Sequence, residues 1–331
     1  MRGEFSDIPT ISVASLAGAA AAPERGIAQR AGAVDGLRDA LERVGFAYLV
    51  DHGVPDGLVE GLRGLSRDFH ALPLDTKLKL AMNGAHRGYM PFSSSTIITS
   101  SVARVVKPNQ SESLMVMHEL GPDDPELAGR PLQGPNQWPA EIPALRTAAL
   151  DYMDRMTALC RDLAVALAEA LGLASGWFLP HFARPTLFLR LLHYPPQVDE
   201  ADLYGSAPHT DYGVVTLLAQ DAVGGLEVRN RHGAWIPAPP IPGSFVMNVG
   251  DVLARWSNGR LASTPHRVRN LSGRERFSQP FFFDPSMDTV VACPADLARG
   301  APRYAPVRYG DYLMERLDRN YDYRRKAQET A

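Results

Sequence analysis

The sequence predicts a mainly β protein with helices, in which a sandwich or jelly-roll core follows a helical N-terminal region and is flanked by a long helix. The 331 residues include 28 glycines and 27 prolines, a share that indicates many turns and short strands. In the second half of the chain, short β-like runs are separated by Gly-Gly, Pro-Pro and Asn-Gly pairs. Regular short strands with such turn signals are typical of sandwiches and jelly rolls.

The helices are predicted from apolar residues that recur at spacings of three and four. Helical patterns cover residues 34–44, 56–70, 142–171 and 311–319. The β-like runs cover residues 46–50, 187–194, 214–220, 226–229, 245–249, 266–270 and 277–283. Residues 83–113 are polar and are expected to be irregular. We expect a helical and mixed region (1–115) and a jelly-roll region (116–331) that share one core and act as one unit.

Composition narrows the function classes. The formal net charge is −3 and the pI is about 6.3, so neither nucleic acid nor an anionic membrane is an expected partner. With only two cysteines, a disulfide framework is not expected. No segment is long and apolar enough to predict a membrane span. These features together predict a cytoplasmic protein, and nothing in the sequence implies a protein partner.

Three residues form a candidate metal site. His209 and Asp211 are two positions apart, so in an extended segment both side chains project from one face. His266 follows Asp211 by 55 residues and begins another β-like run. Two imidazoles and one carboxylate leave coordination positions open, which suits non-haem Fe(II). In a chain with nine histidines the His-x-Asp pair alone also fits a chance occurrence.

A second pair of residues strengthens the metal hypothesis. Arg276 lies ten residues after His266, and Ser278 lies on the same face of the predicted strand. A guanidinium fork with a hydroxyl beside it is suited to binding a carboxylate. A dicarboxylic oxo acid that chelated the metal with one end would need such a clamp for the other end.

These spacings resemble the isopenicillin N synthase-like branch of the Fe(II)/2-oxoglutarate-dependent dioxygenases. All five positions of the His-x-Asp, His and Arg-x-Ser pattern match. Residues 46–54 (Phe-Ala-Tyr-Leu-Val-Asp-His-Gly-Val) resemble the family's entry strand, and residues 189–196 (Leu-Arg-Leu-Leu-His-Tyr-Pro-Pro) resemble the strand before the metal motif. In the second run Leu192 and His193 depart from the family's Asn-Tyr, whereas Tyr194 matches. The resemblance covers residues 8–320.

The resemblance implies a distorted double-stranded β-helix with helices on one outer face and iron inside the barrel mouth. It implies that Fe(II) binds the three candidate ligands, and that Arg276, Ser278 and, more weakly, Tyr194 hold the distal carboxylate of 2-oxoglutarate. Oxygen would then be consumed with release of succinate and CO2. Hydroxylation is the default outcome in this family, and desaturation or ring closure are variants.

The substrate is expected to be a small polar metabolite. Either Arg87 or Arg190 could pair with a substrate carboxylate, and Glu112 could pair with an amine, which would suit an amino acid. The residues expected near the substrate are Arg87, Tyr89, Glu112, Arg190, Tyr212 and Phe282.

Three alternatives remain open on the sequence. The first is an Fe(II) oxidase of the same fold that does not use 2-oxoglutarate, with Arg276 and Ser278 binding the carboxylate of its own substrate. The second is an enzyme of the ethylene-forming type, suggested by the local His-Thr-Asp-Tyr run. The third is a metal-binding jelly roll without catalytic activity.

Overall fold

The structure is a computed structural model, and it describes residues 5–121, 123–127, 131–298, 300–321 and 323–324. In this part of the chain no helix has the length and apolar character needed to cross a membrane.

Two sheets face each other, and a smaller apolar cluster and the cavities lie between them. The strands are β1 Thr10–Ser12, β2 Phe46–Val50, β3 Gly88–Met90, β4 Glu112–Met117, β5 Thr186–Tyr194, β6 Ser206–His209, β7 Val215–Gln220, β8 Leu226–Arg229, β9 Trp235–Pro237, β10 Phe245–Val249, β11 His266–Val268, β12 Arg276–Asp284, β13 Val290–Val291 and β14 Val307–Arg308. The major sheet has the order β1-β2-β10-β7-β12-β5-β4-β3, the minor sheet has the order β6-β11-β8-β9, and β13 pairs with β14 in a separate two-stranded sheet. Except for the β1–β2 pair, neighbouring strands in both sheets are antiparallel. The predicted jelly-roll class is confirmed.

Seven helices pack around the sheets in the described residues. They are α1 Ile27–Arg43, α2 Asp56–His70, α3 Leu74–Leu78, α4 Ala144–Leu171, α5 Asp251–Trp256, α6 Ala295–Ala298 and α7 Tyr309–Asn320, with 3-10 turns at Ala14–Leu16, Pro125–Leu127 and Leu179–Phe182. Helices α2 and α4 both contact β5 and β12, and α1 packs on α4. The long helix therefore lies along the outside of the sheet, as the sequence predicted.

Helix α4 shows how the local sequence fixes an element. Its leucines and methionines at spacings of three and four are buried in the main core. The helix ends at Leu171 because Gly172 adopts a left-handed conformation (φ 80°), which costs glycine little and other residues more.

Side chains of β5 and β12 alternate between two environments. Odd-numbered residues such as Leu189 and Phe281 are buried in the core beneath the helices. Even-numbered residues such as Arg190 and Phe282 line cavities between the two sheets. Because strand side chains alternate with a period of two, each of these strands contributes both to the core and to the site.

Two sequence predictions need correction. Residues 83–113 are not irregular throughout, because β3 and the first residues of β4 lie there. Their polar residues obscured the strand pattern, although all six residues of β4 are buried. Helix α1 begins at Ile27 rather than at residue 34, since its first turns lack an apolar stripe and are instead held by the buried Arg30, which donates to Glu169 on α4 at 2.9 Å.

The expected boundary between the two regions, at residues 115 and 116, falls inside β4, which pairs with β3 on one side and β5 on the other. The division into two regions remains a prediction.

Candidate active site

Two histidines are placed side by side by strand pairing. His209 ends β6 and His266 begins β11, and the two residues are direct partners in the antiparallel ladder. Their ring centroids are 4.3 Å apart. Although 57 positions separate them in the sequence, the pairing of two short strands therefore brings both imidazoles to one edge of the minor sheet.

Asp211 completes a cluster with these histidines. Its Oδ1 atom lies 3.7 Å from Nε2 of His209 and 3.7 Å from Nε2 of His266. Among the described residues, this is the one group of three histidine, cysteine or acidic side chains whose ligand atoms lie within 4.8 Å of one another.

The remaining polar atoms of the three side chains are already bonded. Nδ1 of His209 lies 2.7 Å from the carbonyl oxygen of Ala207, and Nδ1 of His266 lies 3.2 Å from that of Thr264. A proton on each Nδ1 satisfies these contacts and leaves the lone pair on Nε2. Both imidazoles thus offer a metal the nitrogen that faces Asp211.

The two oxygens of the Asp211 carboxylate likewise have different partners. Its Oδ2 atom accepts hydrogen bonds from the hydroxyl of Thr216 at 2.5 Å and from the amide of Asn248 at 2.7 Å. Burial alone would raise the pKa of Asp211, but the two histidines and these hydrogen bonds outweigh burial and lower it. Oδ1 is left as an ionised oxygen between the two imidazoles.

The histidine charge state also suits a metal. Burial, followed by the neighbouring His266, lowers the pKa of His209 to about 4, so its imidazole is neutral near pH 7. Two imidazole nitrogens and one carboxylate oxygen on one side of a centre form a facial donor set of the kind that holds Fe(II) and leaves other positions open. The residues therefore fit such an ion.

Gly213, two residues after Asp211, lies so close to the Asp284 carboxylate that only glycine fits. A Cβ atom on Gly213 would lie 1.8 Å from Oδ1 of Asp284, so no other residue fits there without displacing β12. The Asp284 carboxylate accepts from the backbone N–H of Val214 at 2.7 Å and from the hydroxyl of Tyr309 at 2.8 Å. These bonds tie the chain after the metal cluster to β12 and to α7. Burial raises the pKa of Asp284 to about 7.

The second feature is a buried arginine at the start of β12. Arg276 is fully buried, and its Nε donates to the carbonyl oxygen of Gly224 at 2.5 Å. Its other two nitrogens make long contacts, 3.3 Å to the hydroxyl of Ser278 and 3.4 Å to the side-chain oxygen of Gln220. Within the described chain no carboxylate pairs with this cation. A buried charge is stable only when it is paired, so the geometry calls for an anionic ligand.

Tyr194 forms one wall of this end of the site. It is the ladder partner of Arg276, and the guanidinium carbon lies 4.6 Å from the centre of its ring. Apolar residues that bury the same region between the sheets include Phe46, Leu192, Leu218, Leu226 and Val268. The cavity extends from Arg276 and Ser278 to the His209–Asp211–His266 cluster, so both groups face one continuous space.

A second cavity adjoins the cluster on the other side. It shares Asn109, Arg190, Ser206, His209, Asp211 and Phe282 with the first. Its far wall is formed by α7 through Leu313, Leu317 and Asn320. The metal cluster therefore lies between two cavities. Arg190 lines both of them, whereas Arg276 lines only the first.

Similar proteins identify the family. Residues 185–285 match the 2OG-Fe(II) oxygenase superfamily, and residues 8–141 match the N-terminal domain described as "non-haem dioxygenase in morphine synthesis N-terminal". A 2-oxoglutarate-Fe(II) type oxidoreductase, hxnY, from Emericella nidulans is 34% identical over 307 residues, which cover 89% of this chain and 86% of the relative. The chain belongs to the 2OG-Fe(II) oxygenase superfamily.

Two further proteins resemble this oxygenase along most of its length. Homoarginine-6-hydroxylase 2-ODD-C23 from Glycine max is 34% identical over 343 residues, covering 97% of this chain and 99% of the relative. The crystal structure of a full-length Neurospora crassa protein in complex with alpha-KG and thymine superposes with a TM-score of 0.79 at 27% identity, covering 94% and 96% of the two chains. The protein is thus an oxidoreductase of the hydroxylase type that uses Fe(II), 2-oxoglutarate and O2.

The structure divides the six residues expected near the substrate. Arg190, Tyr212 and Phe282 line the cavity beside α7. Arg87, Tyr89 and Glu112 line neither cavity, and we correct the expectation that they contact substrate.

The last three residues have other partners within the protein. The buried Arg87 donates to the carbonyl oxygens of Ala85, Leu132 and His118. Glu112 accepts from Lys77 at 2.8 Å, from Nδ1 of His193 at 2.8 Å and from the hydroxyl of Tyr89. These bonds use both oxygens of Glu112, so the oxygenase has no amine-binding carboxylate at this position.

Sequence reasoning missed several residues of the site. Asn248 and Thr216 lie on neighbouring strands of the major sheet and face Asp211, yet nothing local to them signals this role. Asn109 holds the chain before β4 against β6 by accepting from the backbone N–H of Ala207 at 2.9 Å. Asn320 of α7 donates to the hydroxyl of Tyr212. The amphipathic pattern of α7 was recognisable, but its place over the cavity was not.

Proposed function

We propose that this oxygenase hydroxylates a small polar metabolite at the His209–Asp211–His266 cluster, with 2-oxoglutarate held between the cluster and Arg276. The observation that carries the proposal is the buried guanidinium of Arg276, which has no carboxylate partner in the described chain and opens into the same cavity as the cluster. When bound, Fe(II) and 2-oxoglutarate supply oxidative decarboxylation to succinate and CO2 and the transfer of oxygen from O2 to a substrate C–H bond.

The three cluster residues are proposed as the metal ligands. The carbonyl oxygens of Ala207 and Thr264 hold the imidazoles with Nε2 facing the centre. Thr216 and Asn248 fix the carboxylate so that Oδ1 faces the same point. Hydrogen-bond partners of this kind orient metal ligands and raise metal affinity. Their presence here favours a specific metal site over a chance cluster of side chains.

Arg276, Ser278 and Tyr194 are proposed to bind the distal carboxylate of 2-oxoglutarate. The long contacts from Arg276 to Ser278 and Gln220 leave its outer nitrogens able to turn toward a stronger acceptor. Tyr194 contributes its ring face, which lies under the guanidinium. Because the surrounding side chains are apolar, they exclude water and strengthen the ion pair.

The substrate is proposed to occupy the cavity beside α7. The name of the Glycine max relative points to homoarginine, a cationic amino acid, as a substrate within this class of enzyme. In the present chain the cavity is lined by the cationic Arg190, which favours a carboxylate on the substrate but, among the described residues, offers no partner to a second, cationic side chain.

The test is succinate formation by the complete chain with Fe(II), 2-oxoglutarate and O2, with and without a panel of small metabolites. We expect slow succinate release without substrate and faster release with a substrate. His266→Ala should abolish both, whereas His232→Ala, a change at an exposed histidine outside the site, should abolish neither.

The outcomes separate the alternatives. Oxygen consumption with product formation but no succinate would indicate an oxidase that does not use 2-oxoglutarate. Ethylene in the headspace would indicate the ethylene-forming reaction. Binding of Fe(II) with neither oxygen consumption nor succinate would indicate a metal-binding protein without this activity.

A further inference from the structure

We infer that the substrate is an amphiphilic carboxylic acid, with its carboxylate bound by Arg190 and its apolar body enclosed by Phe188, Phe282 and the leucines of α7. This inference rests on the proposed function, because it assigns the substrate class of the same site. It departs from a cationic amino acid, for which the cavity offers no free anionic partner among the described residues.

Among the described residues, Arg190 is the one arginine that lines the cavity beside α7, and it also lines the cavity that ends at Arg276. It lies on the cavity side of β5 and is only partly buried. Its Nε donates to the hydroxyl of Ser113 at 2.9 Å, and one terminal nitrogen makes a 3.6 Å contact with the sulfur of Met90. Neither partner is charged, and within the described chain no carboxylate pairs with Arg190. The guanidinium is therefore oriented by Ser113 while its fork remains available to an anion.

The acidic residues that line the same cavity are not available to a cationic substrate. They are Asp211 and Asp284 in the described chain. Asp211 belongs to the proposed metal centre. Asp284 already uses one oxygen to accept from the N–H of Val214 and the other to accept from Tyr309. A guanidinium or ammonium group would enter beside the positive charge of Arg190 without a free carboxylate, which is unfavourable in a partly desolvated site.

Arg190 and Arg276 are placed to bind two different anions. Arg276 is the ladder partner of Tyr194, which lies four residues beyond Arg190 on β5. At a rise of about 3.3 Å per residue, the two positions are separated by about 13 Å along the sheet. A five-carbon dicarboxylate held between Arg276 and the metal centre would use one carboxylate at each end. Arg190 then remains for a second carboxylate on the substrate side.

The rest of the cavity is predominantly apolar. Phe188 and Phe282 are ladder partners on β5 and β12 with ring centroids 6.4 Å apart, and Leu313 and Leu317 of α7 face the same space. The hydroxyl of Tyr212 is already engaged by Asn320. A substrate with a carbon chain or ring next to its carboxylate would bury apolar surface here, and burial of this kind is favourable at about 25 cal/mol per Å².

The experiment measures binding rather than turnover. The enzyme is loaded anaerobically with Fe(II) and 2-oxoglutarate, and equilibrium dialysis is performed with benzoate, 3-phenylpropanoate and hexanoate, each beside its primary amide, and with homoarginine. We expect at least one acid to bind about tenfold or more tightly than its amide, since hydrogen bonds to charged groups are stronger than those between neutral groups. Homoarginine should bind more weakly than that acid.

Two variants and one control test the role of Arg190. Arg190→Gln should abolish the preference for acid over amide while the affinity for 2-oxoglutarate changes less than about twofold. Arg190→Lys keeps the charge and should retain part of the preference, which also guards against a variant that fails to fold. Arg155→Gln, at an exposed position on α4, should behave as the wild type.

Several results would overturn the inference. They are the absence of any acid-over-amide preference in the panel, a preference that survives in Arg190→Gln, tighter binding of homoarginine than of every acid, and a loss of 2-oxoglutarate affinity in Arg190→Gln with the preference intact. The last result would assign Arg190 to the co-substrate. A failure of the wild type to bind 2-oxoglutarate at all would instead overturn the proposed function, so the two failures are distinguishable.

Discussion

The two cavities beside the metal cluster are built from different kinds of chain segment. The cavity that ends at Arg276 is formed by the facing sheets, and Arg276, Ser278 and Tyr194 all lie on the paired strands β12 and β5. The cavity that ends at α7 combines one end of those strands with the loop around Ser95 and Ile97 and with the helix itself. The first is therefore set by strand register, and the second depends on how three distant segments pack.

This difference matches the two tasks proposed for the cavities. A co-substrate shared by a whole family can be held by a fixed clamp in the sheet. A substrate that differs between members needs walls that can vary without disturbing the sheet, and loops and terminal helices tolerate such change better than paired strands. We therefore expect substitutions in the sheet to affect 2-oxoglutarate and substitutions in α7 to affect the substrate.

The largest expected effect is at the cluster that the two cavities share. Asp211→Ala removes the only anionic group of the proposed donor set, so Fe(II) affinity and succinate formation should both fall about 100-fold or more. Metal content after dialysis measures the first and succinate release the second. Asp75→Ala, at an exposed carboxylate that lines neither cavity, serves as the control, and metal retention by Asp211→Ala would remove Asp211 from the site.

On the face of β4 and β5 that points away from both cavities, the ion pair of Glu112 is expected to contribute to the free energy of unfolding. Burial by itself would raise the pKa of Glu112, but hydrogen bonds from His193, Lys77 and Tyr89 outweigh burial and lower the pKa to about 2. Glu112→Gln leaves the buried Lys77 without a counter-charge, so the free energy of unfolding should fall by about 3 kcal/mol at pH 7. Chemical denaturation measures this loss, and Asp151→Asn at an exposed ion pair should change it by less than about 0.5 kcal/mol.

The pH dependence of that loss has a definite sign. A carboxyl whose pKa is lower in the folded state stabilises the fold above its ordinary pKa of 4.5, and the contribution disappears as the pH falls toward 2. The gap between wild type and Glu112→Gln should therefore be constant above about pH 5 and shrink below it. A gap that widened in acid would contradict the proposed ionisation.

The clamp at Arg276 should respond to geometry as well as to charge. Arg276→Lys keeps the charge but removes the planar fork, so the apparent constant for 2-oxoglutarate should rise about tenfold. Initial rates of succinate formation over a range of 2-oxoglutarate concentrations give this constant. An unchanged constant would show that Arg276 does not bind 2-oxoglutarate. A change in substrate affinity alone would contradict the proposal that the two cavities bind different molecules.

The α7 side should show a smaller effect that leaves 2-oxoglutarate untouched. Asn320 is buried and connects α7 to Tyr212 and, at 2.8 Å, to the hydroxyl of Thr99. Asn320→Ala should speed amide hydrogen exchange across α7 about fivefold, since such hydrogen bonds contribute about 1 kcal/mol. Glu315→Ala, on the exposed side of the same helix, is the control. Equal protection in both variants would show that Asn320 does not hold the helix in place.

The smallest effect is expected at Tyr194. Tyr194→Phe retains the ring that lies under the guanidinium of Arg276, so the apparent 2-oxoglutarate constant should change by about threefold or less. The same succinate assay measures it beside Arg276→Lys. A tenfold increase would instead assign a direct contact to the Tyr194 hydroxyl.

The sequence by itself determined those features that depend on neighbouring residues. Helix α4 follows from local apolar periodicity and strand β2 from a short apolar run before turn residues, and the observed bounds agree closely with the predicted ones. The spacing of two between His209 and Asp211, and between Arg276 and Ser278, already places each pair on one face of an extended segment. The family resemblance supplied the pairing of these two motifs with His266.

Only the tertiary structure decided which polar residues face a ligand and which face each other. Arg87 and Arg190 were equivalent candidates in the sequence, but packing surrounds Arg87 with three carbonyl oxygens and leaves Arg190 beside a hydroxyl at a cavity. Glu112 likewise forms an ion pair with Lys77, which lies 35 positions earlier in the chain. The physical reason is that a buried polar group must be paired, and the identity of its partner depends on segments that are remote in the sequence and adjacent only in the folded chain.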